Sequence, residues 1–147
     1  MPNKLLLILA AAMLAGAAAK SPALKDLPAA VQKTVQDNLN GAEIKHIGKE
    51  TERGVVQYEV ETMLYGKHRD FNVDAKGKLV VVEEETSLDA IPAAAKAAIE
   101  KKAARGKVGM VEVMTKDGAT LYEAAYTDRN GKKREVLVKP DGTEAKD

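Results

Sequence analysis

The chain has 147 residues, with 23 lysines and arginines against 22 aspartates and glutamates, one phenylalanine, four tyrosines, no tryptophan and no cysteine. The lack of cysteine excludes a disulfide framework, a thiol nucleophile and a lipid-anchored lipoprotein. A near-neutral, finely mixed charge excludes the basic patch that nucleic acid or an anionic membrane needs, since the short runs Lys101-Lys102 and Lys132-Lys133-Arg134 have acidic residues close by.

The N-terminus reads as an export signal. Met1 to Lys4 is a short positive region, Leu5 to Gly16 an apolar run, and Ala17-Ala18-Ala19 satisfies the small-residue rule before a cut. Residues 1–19 are expected to be a signal peptide, because the apolar stretch is short and alanine-rich for a span of about 20 residues. Cleavage would remove Lys4 and leave 22 basic against 22 acidic side chains. Residues 20–147 are enough for one domain, which would bury roughly two-thirds of its unfolded surface. With so few aromatic residues, its core has to come from Val, Leu, Ile, Met and Ala.

Leu27, Val31, Val35 and Leu39 recur every four residues behind Pro28, predicting a helix that Gly41 stops. A strand is expected from Ala42 to Lys49, then a turn at Arg53-Gly54. Val56, Tyr58, Val60, Thr62 and Leu64 alternate with Gln57, Glu59 and Glu61, the period of a half-buried strand. Tyr65-Gly66-Lys67 turns the chain, Phe71 and Val73 alternate with Asp70 and Asn72, and Leu79 to Thr86 forms a fourth strand after the turn at Asp74 to Gly77. Ser87 to Asp89 is placed to cap a second helix carrying Ile91, Ala95, Ile99 and Ala103, with Gly106 ending it. Val108 to Lys116, Ala119 to Thr127 and Lys132 to Lys139 are the remaining strands. Asp117-Gly118 and Asn130-Gly131 are strong hairpin signals.

These elements come twice, about 64 residues apart. Leu27-Pro28 returns as Ile91-Pro92, Gly54 as Gly118, Tyr58-Glu59 as Tyr122-Glu123 and Gly77 as Gly142. Such ordered recurrence indicates a duplicated unit, here about 24–86 and 87–147. The expected fold class is α+β: two tandem helix-plus-antiparallel-meander repeats forming one sheet of seven or eight strands, with both helices on one face. Only five residues follow Asp141-Gly142, so the last strand of the second unit should be truncated.

The run Leu27-Pro28, amphipathic helix, Gly54, Tyr58-Glu59-Val60, Phe71-Asn72-Val73-Asp74 and Gly77-Lys78-Leu79 resembles the PepSY-like domains of secreted bacterial proteins. The second copy keeps Ile91-Pro92, Gly118 and Tyr122-Glu123, and replaces Phe71 with Val136 and Asp74 with Lys139. The family is similar in fold to a secreted β-lactamase inhibitor. The resemblance implies a non-enzymatic periplasmic or secreted protein that binds or inhibits. A shared scaffold carries no shared site, so no β-lactamase-binding signature transfers.

No catalytic constellation is expected. Ser21 and Ser87 lack a nucleophile-elbow context, and His46 and His68 are too far apart for a clustered metal site. No cofactor and no metal are therefore assigned. Asp74 to Gly77 and Asp128 to Gly131 lack the spaced carboxylates of a calcium loop and are expected to be turns. Glu83-Glu84-Glu85 is read as a solubilising or edge-protecting run. Tyr58, Tyr122 and Tyr126 are assigned to the core.

The face opposite the tyrosines is the candidate partner surface: Gln57, Glu59, Glu61, His68, Asp70, Leu121, Glu123, Glu135 and Leu137. Leu121 and Leu137 are apolar on a face otherwise suited to water. The expected function is an exported binding module, inhibition being one form of such binding, whose open sheet face engages an envelope or secreted protein or peptide. The alternative is a small-ligand or calcium carrier using the same acidic face. Neither nucleic acid nor, after cleavage, a membrane is an expected partner.

Overall fold

Behind Pro28, whose carbonyl accepts the Gln32 N–H at 2.9 Å, the stripe Leu27, Val31, Val35 is buried by helix α1, Ala29–Asn38. The computed structural model describes residues 21–52 and 54–145; the expected signal peptide and its cleavage site lie outside these residues. Helix α2, Ala93–Ala103, comes after Pro92 in the same way and buries Ile91, Ala95, Ile99 and Ala103. It ends at Ala104, in left-handed backbone at φ 49°, and not at Gly106 as expected. Gly106 is instead a point of close approach, since a Cβ there would sit 2.0 Å from the Thr127 carbonyl. Ser87 to Asp89 does not cap α2. Leu88–Ala90 forms a 3-10 turn, and the Asp89 carboxylate takes the Lys96 ammonium at 2.6 Å.

Seven strands match the alternation closely: β1 Glu43–Glu52, β2 Val55–Leu64, β3 Lys67–Asp74, β4 Leu79–Thr86, β5 Lys107–Lys116, β6 Ala119–Thr127 and β7 Lys133–Val138. They form one sheet in chain order, every neighbouring pair antiparallel. The molecule thus consists of two helix-plus-meander units joined edge to edge by β4 and β5. Beyond β7 the described chain forms only a bridge between Val138 and Glu144, with the Ala145 N–H donating to the Leu137 carbonyl at 2.9 Å.

Both helices cover one face. Under α1 the core joins Ile47, Tyr58, Val60, Phe71 and Val73; under α2 it joins Val111, Ala124, Tyr126, Val136 and Val138, with Tyr122 packed against it. The tyrosines are therefore core residues. Buried Thr62 donates its hydroxyl to the Arg69 carbonyl. Arg69 in turn reaches the end of α1, donating from Nη1 to the Asn38 carbonyl at 2.6 Å and from Nε to Glu84 Oε1 at 3.1 Å.

The aspartate turns are held by their own side chains. Asp74 Oδ1 accepts the N–H groups of Lys76 and Lys78 at 2.8 and 2.9 Å, and Asp128 Oδ1 those of Asn130 and Lys132 at 2.9 and 3.0 Å. Carboxylates used this way close hairpins, as expected of these turns.

Candidate functional site

Because strand side chains alternate, the residues between the core positions project from the face opposite α1 and α2. Gln57, Glu59 and Glu61 do so from β2, His68 and Asp70 from β3, Leu121 and Glu123 from β6, and Glu135 and Leu137 from β7. The nine expected residues thus share one face. Register places them more closely. Glu59 pairs with Asn72, Met63 with His68, Glu123 with Leu137, and Ala125 with Glu135.

The middle of this face comes from residues that the sequence reading did not include. Val81, Glu83 and Glu85 project from β4, and Glu112 and Met114 from β5. Asp70 stands opposite Glu83, Glu83 opposite Met114, Glu85 opposite Glu112, and Glu112 opposite Glu123. The edge-protecting reading of Glu83-Glu84-Glu85 is overturned by the strand order. β4 is the central strand, with β3 and β5 on either side. Glu84 points to the helix side and pairs with Arg69.

Leu121 and Leu137 do not stand free as apolar side chains in water. They are 9 % and 8 % exposed, and with Met114, 2 % exposed, they form a small cluster against which Val81 and Ala145 pack. Three side chains on adjacent strands shield one another, and Ala145 packs beside them. The result is an apolar floor set among carboxylates.

Burial and mutual repulsion hold those carboxylates toward their neutral form. Glu59 is pushed up to about 7, by burial first and then by Glu50, Glu61 and Asp70. Glu83 is pushed up to about 8, again by burial first, then by Glu112, Asp70, Glu59 and Glu135. Burial also raises Glu112, Glu135 and Asp70, although the Thr62 N–H at 2.7 Å and His68 pull Asp70 part of the way back. His68 Nδ1 lies 3.9 Å from Asp70 Oδ2. His46, at the β1 side, hydrogen-bonds the Ser21 hydroxyl at 2.7 Å. The two histidines are thus separately engaged. Among the described residues no group of three or more His, Cys, Asp or Glu side chains is arranged to hold a metal ion.

A second feature lies at the β2–β3 hairpin. Exposed Tyr65, in left-handed backbone at φ 51°, stands at the rim of a groove lined by Leu64, His68, Arg69, Glu85 and Val113. The sequence reading gave Tyr65 only a turn role.

No family model matches the chain, and no curated protein sequence matches it. Solved structures do share its fold. A candidate periplasmic protein from Bacteroides eggerthii superposes with a TM-score of 0.66 at 18 % identity, over 82 % of this chain and 86 % of that one. A DUF2874 family protein from Bacteroides ovatus gives 0.64 at 18 % identity, over 82 % and 85 %. A BLIP-like protein from Bacteroides fragilis gives 0.59 at 18 % identity, over 81 % and 83 %. The chain therefore has a BLIP-like α+β fold. Among the described residues no helix is long and apolar enough to cross a membrane.

Proposed function

We propose that the protein is an exported, non-enzymatic binding module that engages an envelope or secreted protein through the open face of its sheet. The observation that carries this reading is the division of the sheet. Both helices pack on one face, while the opposite face presents Gln57, Glu59, Glu61 and Asp70 half-buried and His68 and Glu135 exposed. The names of the fold neighbours, one a candidate periplasmic protein and one BLIP-like, support export and binding respectively. The repeated Leu-Pro, Gly and Tyr-Glu positions support kinship with PepSY-like domains and an origin by duplication. Residues 1–19 would be removed and residues 20–147 would act as one domain. Inhibition of the bound partner is one outcome of such docking.

The test is capture of a partner from envelope extract by the purified exported protein. Since Leu121 and Leu137 are buried, an aspartate there would put a charge into the cluster and confound binding with folding. The comparison protein therefore carries Glu59→Lys, Glu61→Lys and Glu135→Lys, with its fold checked by circular dichroism. A protein retained by the native chain and lost by the variant supports the reading. Equal retention by both removes the open face as the binding surface.

A further inference from the structure

Two basic runs that have acidic residues close by in the sequence come together in the fold. The antiparallel order puts the C-terminal end of α2, the start of β5 and the β6–β7 hairpin at one end of the sheet. Gly106 lies against Thr127 and Asp128 there, where a side chain would collide. A cleft of about 430 Å³ between them is lined by Lys102, Arg105, Asp128, Arg129 and Asn130.

The acidic groups of this end are already engaged. Asp128 closes its own turn and takes Arg134 Nε at 3.3 Å, while Glu144 takes the Lys102 ammonium at 2.9 Å. Arg105, Lys107, Arg129, Lys132 and Lys133 are exposed, and none has a carboxylate partner among the described residues. Cations in the last turn of α2 offset its dipole, but those of the hairpin have no such task in the fold.

Exposed apolar side chains stand at the same end. The β5 bulge between Val108 and Val111 leaves Met110 41 % exposed, three residues from Lys107. At the tip of the β2–β3 hairpin, beside exposed Lys67, Tyr65 is 97 % exposed and shares a groove with Val113 of β5. The Tyr65 backbone is left-handed at φ 51°, a conformation that favours Asn, Asp or Gly over a bulky residue. The β5–β6 hairpin, with the same two-residue turn, places Asp117 there at φ 48°. Folding alone therefore favours a small polar residue where Tyr65 stands.

We propose that this end of the sheet docks onto an anionic phospholipid surface. Lys67, Arg105, Lys107, Arg129, Lys132 and Lys133 would meet headgroup phosphates, and Tyr65 and Met110 would enter the boundary between headgroups and acyl chains. The sequence expectation of no membrane partner rested on the dilution of the basic runs along the chain, and the fold removes that dilution. Two features select a bilayer. From β3 to β7 is four strand spacings, about 19 Å, so the cations are spread along the end of the sheet and suit a surface carrying many mobile charges. Tyrosine is enriched where headgroups meet hydrocarbon, whereas a nucleic acid would leave Met110 in water. Glu59, Glu61 and Asp70 take no part in this docking, so it does not rest on the reading of the open face.

The experiment sediments the purified exported protein with vesicles of phosphatidylcholine alone, or of phosphatidylcholine with an equal part of phosphatidylglycerol. Binding to the mixed vesicles should be about tenfold or more tighter and should weaken with added salt. The variant Arg129→Glu, Lys132→Glu, Lys133→Glu, changed only at exposed positions, should lose about tenfold or more of that affinity. Tyr65→Asn should weaken binding about threefold or more while raising the thermal midpoint, because asparagine accepts left-handed backbone. A loss of binding through damage to the fold would lower that midpoint instead. Equal binding to both kinds of vesicle, no binding to either, or undiminished binding by either variant would each overturn the proposal. Tighter binding to a short DNA duplex than to the mixed vesicles would also overturn it, by making the basic end a site for soluble polyanions.

Discussion

Glu85 stands directly opposite Glu112 across the seam where the two units join, so two carboxylates face each other there. Burial of the carboxyls on this face makes stability depend on pH in an uncommon direction. Glu59 and Glu83 have folded pKa values of about 7 and about 8, above their ordinary value of 4.5. Asp70, Glu112 and Glu135 are raised as well, and His68 is the cationic group that bears on Asp70 and Glu112. A carboxyl raised by folding holds more protons folded than unfolded throughout that interval. Stability therefore falls as pH rises from about 4.5 to about 8 and levels off above it. The melting temperature should be about 5 °C higher at about pH 5.5 than at about pH 8.5. Thermal denaturation followed by circular dichroism checks this, and a curve rising toward pH 8.5 would mean that folding does not raise these carboxyls.

Replacing one charge should show where that dependence arises. Glu83 is pushed up to about 8, with Asp70 opposite it on one side and Met114 on the other. Glu83→Gln keeps the shape and removes the charge. The variant should be more stable than the native chain by about 1–2 kcal/mol at about pH 8 and equal to it near pH 5, where Glu83 is protonated anyway. Urea denaturation at the two pH values measures the difference. Equal stability at both would place the penalty on other residues of the face.

How far this site was legible in the sequence depends on what sets each feature. Period-two alternation is local, so Val56, Tyr58 and Val60 against Gln57, Glu59 and Glu61 were enough to assign β2 and its two faces. The same signal put Leu121 and Glu123 on the open face. The pairing of β4 with β5 is not local, because α2 lies between them in the chain and the docking of two units decides the register. Glu83 and Glu85 therefore read as an edge run when they lie at the centre, and Glu112 was not seen to meet them. Leu121 and Leu137 looked exposed for the same reason. Their cover is Met114 on the neighbouring strand, together with Ala145 after the last turn. The end of α2 was misplaced because Ala104, a residue with no preference for left-handed backbone, adopts it there.

The two layers of the first unit are tied by Arg69. It is 8 % exposed, lies 5.7 Å from the centre of the Phe71 ring, and donates to both the Asn38 carbonyl and Glu84. Arg69→Ala removes both donors and the packing at once, which should cost about 2–3 kcal/mol in urea denaturation. Arg69→Lys should recover only part of this, since a single ammonium cannot reproduce the fork that serves two acceptors. Full recovery by lysine would show that charge, and not geometry, is what Arg69 supplies.

Gly77 and Gly142 offer the sharpest test that the two units are built alike. They lie at φ 87° and 82°, where any side chain is strained. A Cβ on Gly77 would come 2.7 Å from the Ala30 carbonyl oxygen, and one on Gly142 would come 2.6 Å from that of Ala94. Ala30 and Ala94 are themselves equivalent, each two residues beyond the proline that opens its helix. In both units, then, the turn after the third strand presses against the first turn of the helix. In the first unit Thr34 adds a hydrogen bond from its hydroxyl to the Gly77 carbonyl at 2.5 Å. Gly118 has a similar φ of 78°, but nothing lies within 4 Å of its Cβ position. Gly118→Ala should cost about 1 kcal/mol, the backbone strain alone. Gly77→Ala and Gly142→Ala should each cost about 2 kcal/mol or more, because strain and collision with a helix backbone add. Denaturant midpoints of the three variants decide the matter. If all three lose the same amount, the helix-to-turn contact contributes nothing, and the equivalence of the two units is one of shape without shared packing.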